Sequence, residues 1–127
     1  METCSYYKNK LHCTGLTKLE RKVVSIINDN DYPKGYMKDV MQGGCVNGSV
    51  NELIYYTDTV AWYKKYRDEI DQMVQELMDE TGEHDLEILL SGWDAEDPFC
   101  RDTTNQTLLA WYSFESVCYA IANILGW

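Results

Sequence analysis

Proline, histidine and, after residue 57, basic side chains are all scarce in this chain of 127 residues. Each scarcity excludes something. Proline occurs only at Pro33 and Pro98, so long stretches are free of the residue that most reliably breaks a helix. The two histidines, His12 and His84, leave few routes to nucleophilic catalysis. The five cysteines, Cys4, Cys13, Cys45, Cys100 and Cys118, include no C-x-x-C pair. With His12 and His84 they offer no local zinc-ligand spacing, so no metal and no cofactor is expected. Free thiols are the expected state in a reducing compartment. No uninterrupted apolar run approaches the ~20 residues of a membrane span. Met1-Glu2-Thr3-Cys4 lacks the basic and apolar regions of a secretory signal. The expected setting is the cytoplasm, with no membrane partner.

What is present is acid. Residues 58–127 hold fifteen acidic side chains against Lys64, Lys65, Arg67 and Arg101, a balance of −11. Residues 1–57 hold six acids and seven bases, +1, which together give the net charge of −10. A one-sided field on a small protein bears on its partners rather than its fold. It repels nucleic acid and anionic lipid and attracts the surfaces that bind them. A hydrophobic content of 45%, with four Trp and ten Tyr, is too high for a disordered acidic tail, so the chain folds. Its length suits one domain over residues 1–127.

The apolar periods are read as helical. Thr17 and Glu20 form a capping box before Leu16, Leu19, Val23, Ile26 and Ile27, and Asn28-Asp29-Asn30-Asp31 ends that run. Pro33 suits the first turn of a shorter helix carrying Tyr36, Met37, Val40 and Met41, closed by Gly43-Gly44. Ser49 and Glu52 mark another capping box, for a short helix through Leu53 and Ile54. One long helix is expected from Thr59 to Thr81, with Val60, Tyr63, Tyr66, Ile70, Met73, Val74, Leu77 and Met78 on one arc. Lys64 and Lys65 stand one turn before Asp68 and Glu69, close enough to offset part of their charge. A short helix covers Glu83 to Leu90, and an acidic loop runs from Gly92 to Thr103. The last helix, with Leu108, Trp111, Phe114, Cys118, Ile121, Ala122 and Leu125, is apolar around most of its girth and should be central. These elements add up to an all-α fold of five or six helices around the C-terminal helix, with residues 1–15 a poorly defined N-terminal segment.

Several residues call for a chemical reading. Cys45 follows Gly43-Gly44 and precedes the helix begun at Ser49, where a thiol can be activated, and His84 is the one candidate base. No third orienting group accompanies them, so a packed cysteine in a glycine-rich connection is the simpler account. The same connection lacks the G-K-[ST] of a phosphate loop, and Asp94-Ala95-Glu96-Asp97 lacks calcium-loop spacing. Within the cluster Tyr55, Tyr56, Trp62, Tyr63 and Tyr66, the wheel puts Trp62 off the buried arc, though a core role for the cluster is favoured over an interface. Glu115 falls on the apolar arc of the last helix and should accept hydrogen bonds from a capping segment or the glycine-rich connection, a structural role. On that reading Glu115→Gln would cost about 1–3 kcal/mol.

Two motifs carry a resemblance: Gly44-Cys45-Val46-x-Gly48-x-Val50-x-x-Leu53-Ile54-Tyr55-Tyr56-x-Asp58-Thr59 and Asn105-x-x-Leu108-Leu109-Ala110-Trp111-Tyr112-x-Phe114-Glu115. Through them, over roughly residues 36–125, the chain resembles a family of small uncharacterised proteins encoded by phages, prophages and mobile elements. The resemblance implies a bacterial host cell and a place among small acidic inhibitors of host defence. The expected function is non-enzymatic: an anti-defence, anti-CRISPR protein that binds a basic nucleic-acid-binding host protein, a CRISPR effector, and no nucleic acid itself. Its DNA-mimicking face would comprise Asp68, Glu69, Asp71, Glu76, Asp79, Glu80, Glu83, Asp94, Glu96 and Asp97. The alternatives are a small enzyme using Cys45 and His84, and a structural or assembly protein of a mobile element; a homodimer is left open.

Overall fold

The computed structural model describes residues 1–41, 58–90 and 105–127. Strands β1 (Thr3–Tyr7) and β2 (Lys10–Thr14) precede helices α1 (Lys18–Asp29), α2 (Lys34–Met41), α3 (Thr59–Lys65), α4 (Arg67–Thr81), α5 (Leu86–Leu89) and α6 (Asn105–Leu125). The class is therefore α+β and not the expected all-α, because residues 3–14, within the segment expected to be poorly defined, pair as an antiparallel hairpin. The expected helix around Leu53 and the loop from Gly92 to Thr103 lie outside the described residues. Two compact units divide the chain: Met1–Tyr56 with Phe114–Trp127, and Thr57–Ser113.

The hairpin turns on Lys8 and Asn9, both left-handed at φ 53 and 59. Positive φ at both central residues is the type I′ requirement, usually met by Asn-Gly. Lys-Asn carries no glycine, which is why the sequence patterns did not announce the turn. Thr3, Ser5, His12 and Thr14 are exposed while Leu11 is buried, an alternation of period two only five residues long on each strand. At the open end Gly15, at φ 68, approaches Glu2 so closely that a Cβ would lie 2.8 Å from Glu2 Cγ.

The first unit is fastened by Asn28. Tyr7 and Lys10 close the two-residue turn, so Tyr6 and Leu11 form the next, non-hydrogen-bonded pair, and the Leu11 backbone groups point away from β1. The Asn28 side chain takes both: Leu11 N–H donates to Oδ1 at 2.7 Å and Nδ2 donates to the Leu11 carbonyl at 3.2 Å. Lys10 Nζ adds a bond to the Asn28 carbonyl and an ion pair with Asp31 at 2.9 Å. Helix α1 begins with the Thr17–Glu20 capping box and buries Leu19, Val23, Val24 and Ile27. In α2, Met37 and Met41 are fully buried. The Tyr6 hydroxyl donates to the Tyr32 carbonyl, and its ring meets Trp127 edge-on at 5.3 Å.

The part of α6 in this unit buries Phe114, Val117, Cys118, Ile121 and Ala122. It ends in a left-handed Gly126 with Trp127 N–H donating to the Ala122 carbonyl, satisfying a terminal acceptor. Leu108–Leu125 has the length and hydropathy of a membrane span, yet 61% of it is buried inside the protein, as in a core helix. Glu115 is half-buried and accepts a hydrogen bond from the Tyr119 hydroxyl, one turn along its own helix. The glycine-rich connection that was the other expected partner lies outside the described residues. Burial pushes the Glu115 carboxyl above the usual range, outweighing the opposing pull of Tyr119.

In the second unit the expected Thr59–Thr81 helix is bent at Tyr66 (φ −110, ψ 21). Its amide still donates to the Trp62 carbonyl and its carbonyl still accepts from Ile70, so the hydrogen-bond ladder continues through a change of phase. A wheel counted straight through therefore misplaces α3. Trp62, expected off the buried arc, is 3% exposed, whereas Val60, expected on it, is 41% exposed. The Trp62 indole donates to Ser113 Oγ at 3.1 Å, and that buried hydroxyl donates to the Ala110 carbonyl at 2.7 Å. Asp58 caps α3 through Ala61 N–H, and Gly82, left-handed at φ 76, closes α4.

Four substitutions test these contacts. Asn28→Ala should lower the free energy of chemical unfolding by about 1–3 kcal/mol, since it strands two backbone groups of Leu11. Replacing Lys8-Asn9 with Asn-Gly should raise it by about 0.5–1 kcal/mol, the left-handed strain relieved less the entropy of glycine. For Glu115 the raised carboxyl binds its proton more tightly folded than unfolded. That contribution is full below the unfolded value and is lost as pH rises through the folded one. Glu115→Gln should thus match or exceed the parent at pH 7, in place of the loss expected from sequence, and fall relative to it at pH 4. Tyr119→Phe should cost about 1 kcal/mol at pH 7.

Candidate acidic interface

Helix α4 sorts its side chains by chemistry. Ile70 and Val74 are buried and Met73, Leu77 and Met78 half-buried, while Asp68, Asp71, Glu76, Asp79 and Glu80 are exposed. At about 100° per residue the five exposed carboxylates occupy one half-turn of the wheel, opposite Ile70 and Val74. Glu69 and Glu83 are half-buried at the edge of this group. The face thus unites Asp68, Asp71, Glu76, Asp79 and Glu80; Asp94, Glu96 and Asp97 lie outside the described residues.

The carboxylates are held as well as grouped. Asp71 accepts from the Tyr63 hydroxyl at 2.8 Å and pairs with Arg67, whose Nε is 3.5 Å away. Gln72 Nε2 donates to Glu76 at 3.2 Å, and Gln75 Nε2 donates to Asp79 at 3.0 Å. Both are one-turn pairs, and an amide donor orients a carboxylate without cancelling its charge. The two glutamines are the residues that the sequence reading passed over, although their four-residue spacing to an acid is visible in it. Of the cations expected to offset the start of the face, Lys65 lies over the Tyr66 ring at 5.5 Å, and the neutralising bridge comes from Arg67.

The far end of the face works against the helix. No basic residue stands in the last turn of α4, so Glu76, Asp79 and Glu80 sit near the negative end of its dipole. Each such placement costs about 0.3–1 kcal/mol at low salt. Thr81 Oγ1 donates to the Leu77 carbonyl at 2.8 Å, and Gly82 N–H to the Met78 carbonyl at 2.8 Å, which ends the helix without a cation. Beyond it Glu83 is turned to local use, accepting from Asp85 N–H at 2.9 Å.

As an array the face comes near the charge density of a nucleic-acid strand. Asp68 to Glu80 spans about 18 Å at ~1.5 Å per residue. With Asp71 bridged to Arg67, the other four exposed carboxylates average one per about 4.5 Å, approaching the ~3.4 Å between charges along one strand of duplex DNA. No grouping of three or more His, Cys, Asp or Glu suited to a metal occurs among the described residues. For the alternative catalytic pair, His84 is exposed and Cys45 lies outside the described residues.

No curated protein and no solved structure matches the chain. A family model does match, over residues 16–126, and so takes in α1 and α2 as well as the region that carries the two motifs. That span is most of the chain, and by it this protein belongs to the family described as Domain of unknown function (DUF7222).

Proposed function

We propose that this protein is a non-catalytic anti-defence inhibitor that occupies the nucleic-acid channel of a host effector, a CRISPR effector in the first instance, with the acidic face of α4. The observation that carries this reading is the row Asp68, Asp71, Glu76, Asp79 and Glu80, exposed together on one face with a single cation, Arg67, on the same helix. An effector channel is lined by Lys and Arg placed to neutralise a backbone with one charge per few ångströms. A helix carrying that density of fixed carboxylates offers such a channel its expected sign and spacing. Stability gives no reason for the arrangement, because the carboxylates at the C-terminal end oppose the dipole. The phage or mobile-element setting belongs to the same proposal and rests on the motif resemblance.

The test is association kinetics with a panel of purified, guide-loaded CRISPR effectors. Binding should compete with target DNA. The variant Glu76→Lys, Asp79→Lys, Glu80→Lys, shown by circular dichroism to be folded, should associate at least about tenfold more slowly. Raising salt to about 0.5 M should slow the parent as well, because steering is screened. Failure to bind any member of the panel, or binding indifferent to both changes, overturns the reading.

A further inference from the structure

Cys4 and Cys13 stand directly opposite each other in the β1–β2 ladder. The register alternates from the hydrogen-bonded pair Tyr7–Lys10 that closes the turn, so Cys4–Cys13, three pairs along, is a non-hydrogen-bonded pair. In such pairs the Cα atoms are about 4.5 Å apart and the side chains lie closest. Disulfides accept Cα separations from about 4.4 Å upward. Both side chains share the face of the hairpin that carries buried Leu11, and both are only half-buried, within reach of a small molecule. The thiols are free and within hydrogen-bonding reach of each other.

We infer that Cys4 and Cys13 form a dithiol site that exchanges with small-molecule disulfides and closes to a reversible cross-strand disulfide. Cys13 keeps its proton, its thiol pushed up to about 12 by burial first and then by the neighbouring Cys4 and Glu20, so Cys4 attacks first. The Cys4 thiolate displaces one thiolate from the external disulfide and is left as a mixed disulfide. That step also removes the Cys4 hydrogen bond and charge that held the Cys13 proton. Cys13 then gives up its proton to solvent and attacks the Cys4 sulfur, forming the Cys4–Cys13 bond and expelling the second thiolate. Two protein thiols lose two electrons in all, and the external disulfide gains them and, with two protons, leaves as two thiols. A dithiol reductant reopens the bond by the reverse exchange.

Closure would bind β1, the terminal strand of the hairpin, to β2, the strand that Asn28 fastens to α1. The full chain treated with oxidised glutathione, quenched by alkylation and mapped by mass spectrometry should yield a Cys4–Cys13 cross-link ahead of any pairing with Cys45, Cys100 or Cys118. In concentrated guanidinium, where the register is gone, that preference should vanish. Cys13→Ser should stop at a glutathione adduct on Cys4. Cys4→Ser should leave Cys13 less modified than Cys4 is in Cys13→Ser, because burial still holds the Cys13 proton, a difference that folding alone does not produce. Amide exchange in β1 should slow by about tenfold or more in the oxidised form and recover with dithiothreitol. Cross-linking with the same cysteine preference in native and denatured protein, or Cys4 and Cys13 both alkylated in full after glutathione disulfide treatment, overturns the inference.

Discussion

The side-chain amide of Asn28 does for β2 what a third strand would do. A two-stranded ribbon leaves half of its backbone groups without partners and is marginal in water by itself. Here the outward N–H and C=O of Leu11 are both satisfied by one side chain of α1, and Leu11 is buried beside them. The two-residue turn sets the register that places Cys4 opposite Cys13, and the Asn28 attachment fastens that ladder to α1. Remove it and two backbone groups of Leu11 lose their partners, leaving the Lys10 contacts, the burial of Leu11 and the Tyr6 contacts to hold the hairpin.

A comparable constraint operates in the second unit at Tyr66. The bend lets Trp62 and Tyr66 both be buried, their rings 5.0 Å apart, while α4 keeps Ile70 and Val74 inward. Burying the Trp62 indole requires a partner for its N–H, and Ser113 supplies it from within α6. The aromatic cluster that looked divided between core and surface is thus core at Trp62 and Tyr66, and Tyr63 is used at the edge, where its hydroxyl positions Asp71.

With the apolar side of α4 occupied, its charged side is free to be a surface with its own logic. The glutamines fix Glu76 and Asp79 in place and leave their charge intact, Tyr63 holds Asp71 beside Arg67, and the helix ends through Thr81 and Gly82 without recruiting a cation. An ordinary solvated helix face mixes signs and sets bases in its last turn. The departure from that pattern is what an inhibitor directed at a basic channel would require, and the cost in helix stability is small enough for the buried residues of α3 and α4 to absorb.

The helices were legible in the sequence wherever an apolar period of 3.6 ran between clear stops. The Thr17–Glu20 box, the core positions Leu19, Val23 and Ile27, the Gly82 terminus and the polar face of α4 all follow from local chemistry. So does the charge imbalance, which is a property of composition. What local chemistry did not contain is pairing. A five-residue alternation around a Lys-Asn turn is too weak to specify a hairpin until Asn28, seventeen residues beyond Leu11, completes its hydrogen bonds. The phase change at Tyr66 likewise follows from burying Trp62 against Ser113, fifty-one residues away, and no wheel drawn along one helix can include that contact. Among the described residues Glu115 accepts its hydrogen bond from Tyr119, one turn away, but whether burial or that bond governs its proton depends on how much of it the fold covers. Periodicity and charge are set residue by residue along the chain; register, bends and the environment of a buried acid are set by neighbours that only folding brings together.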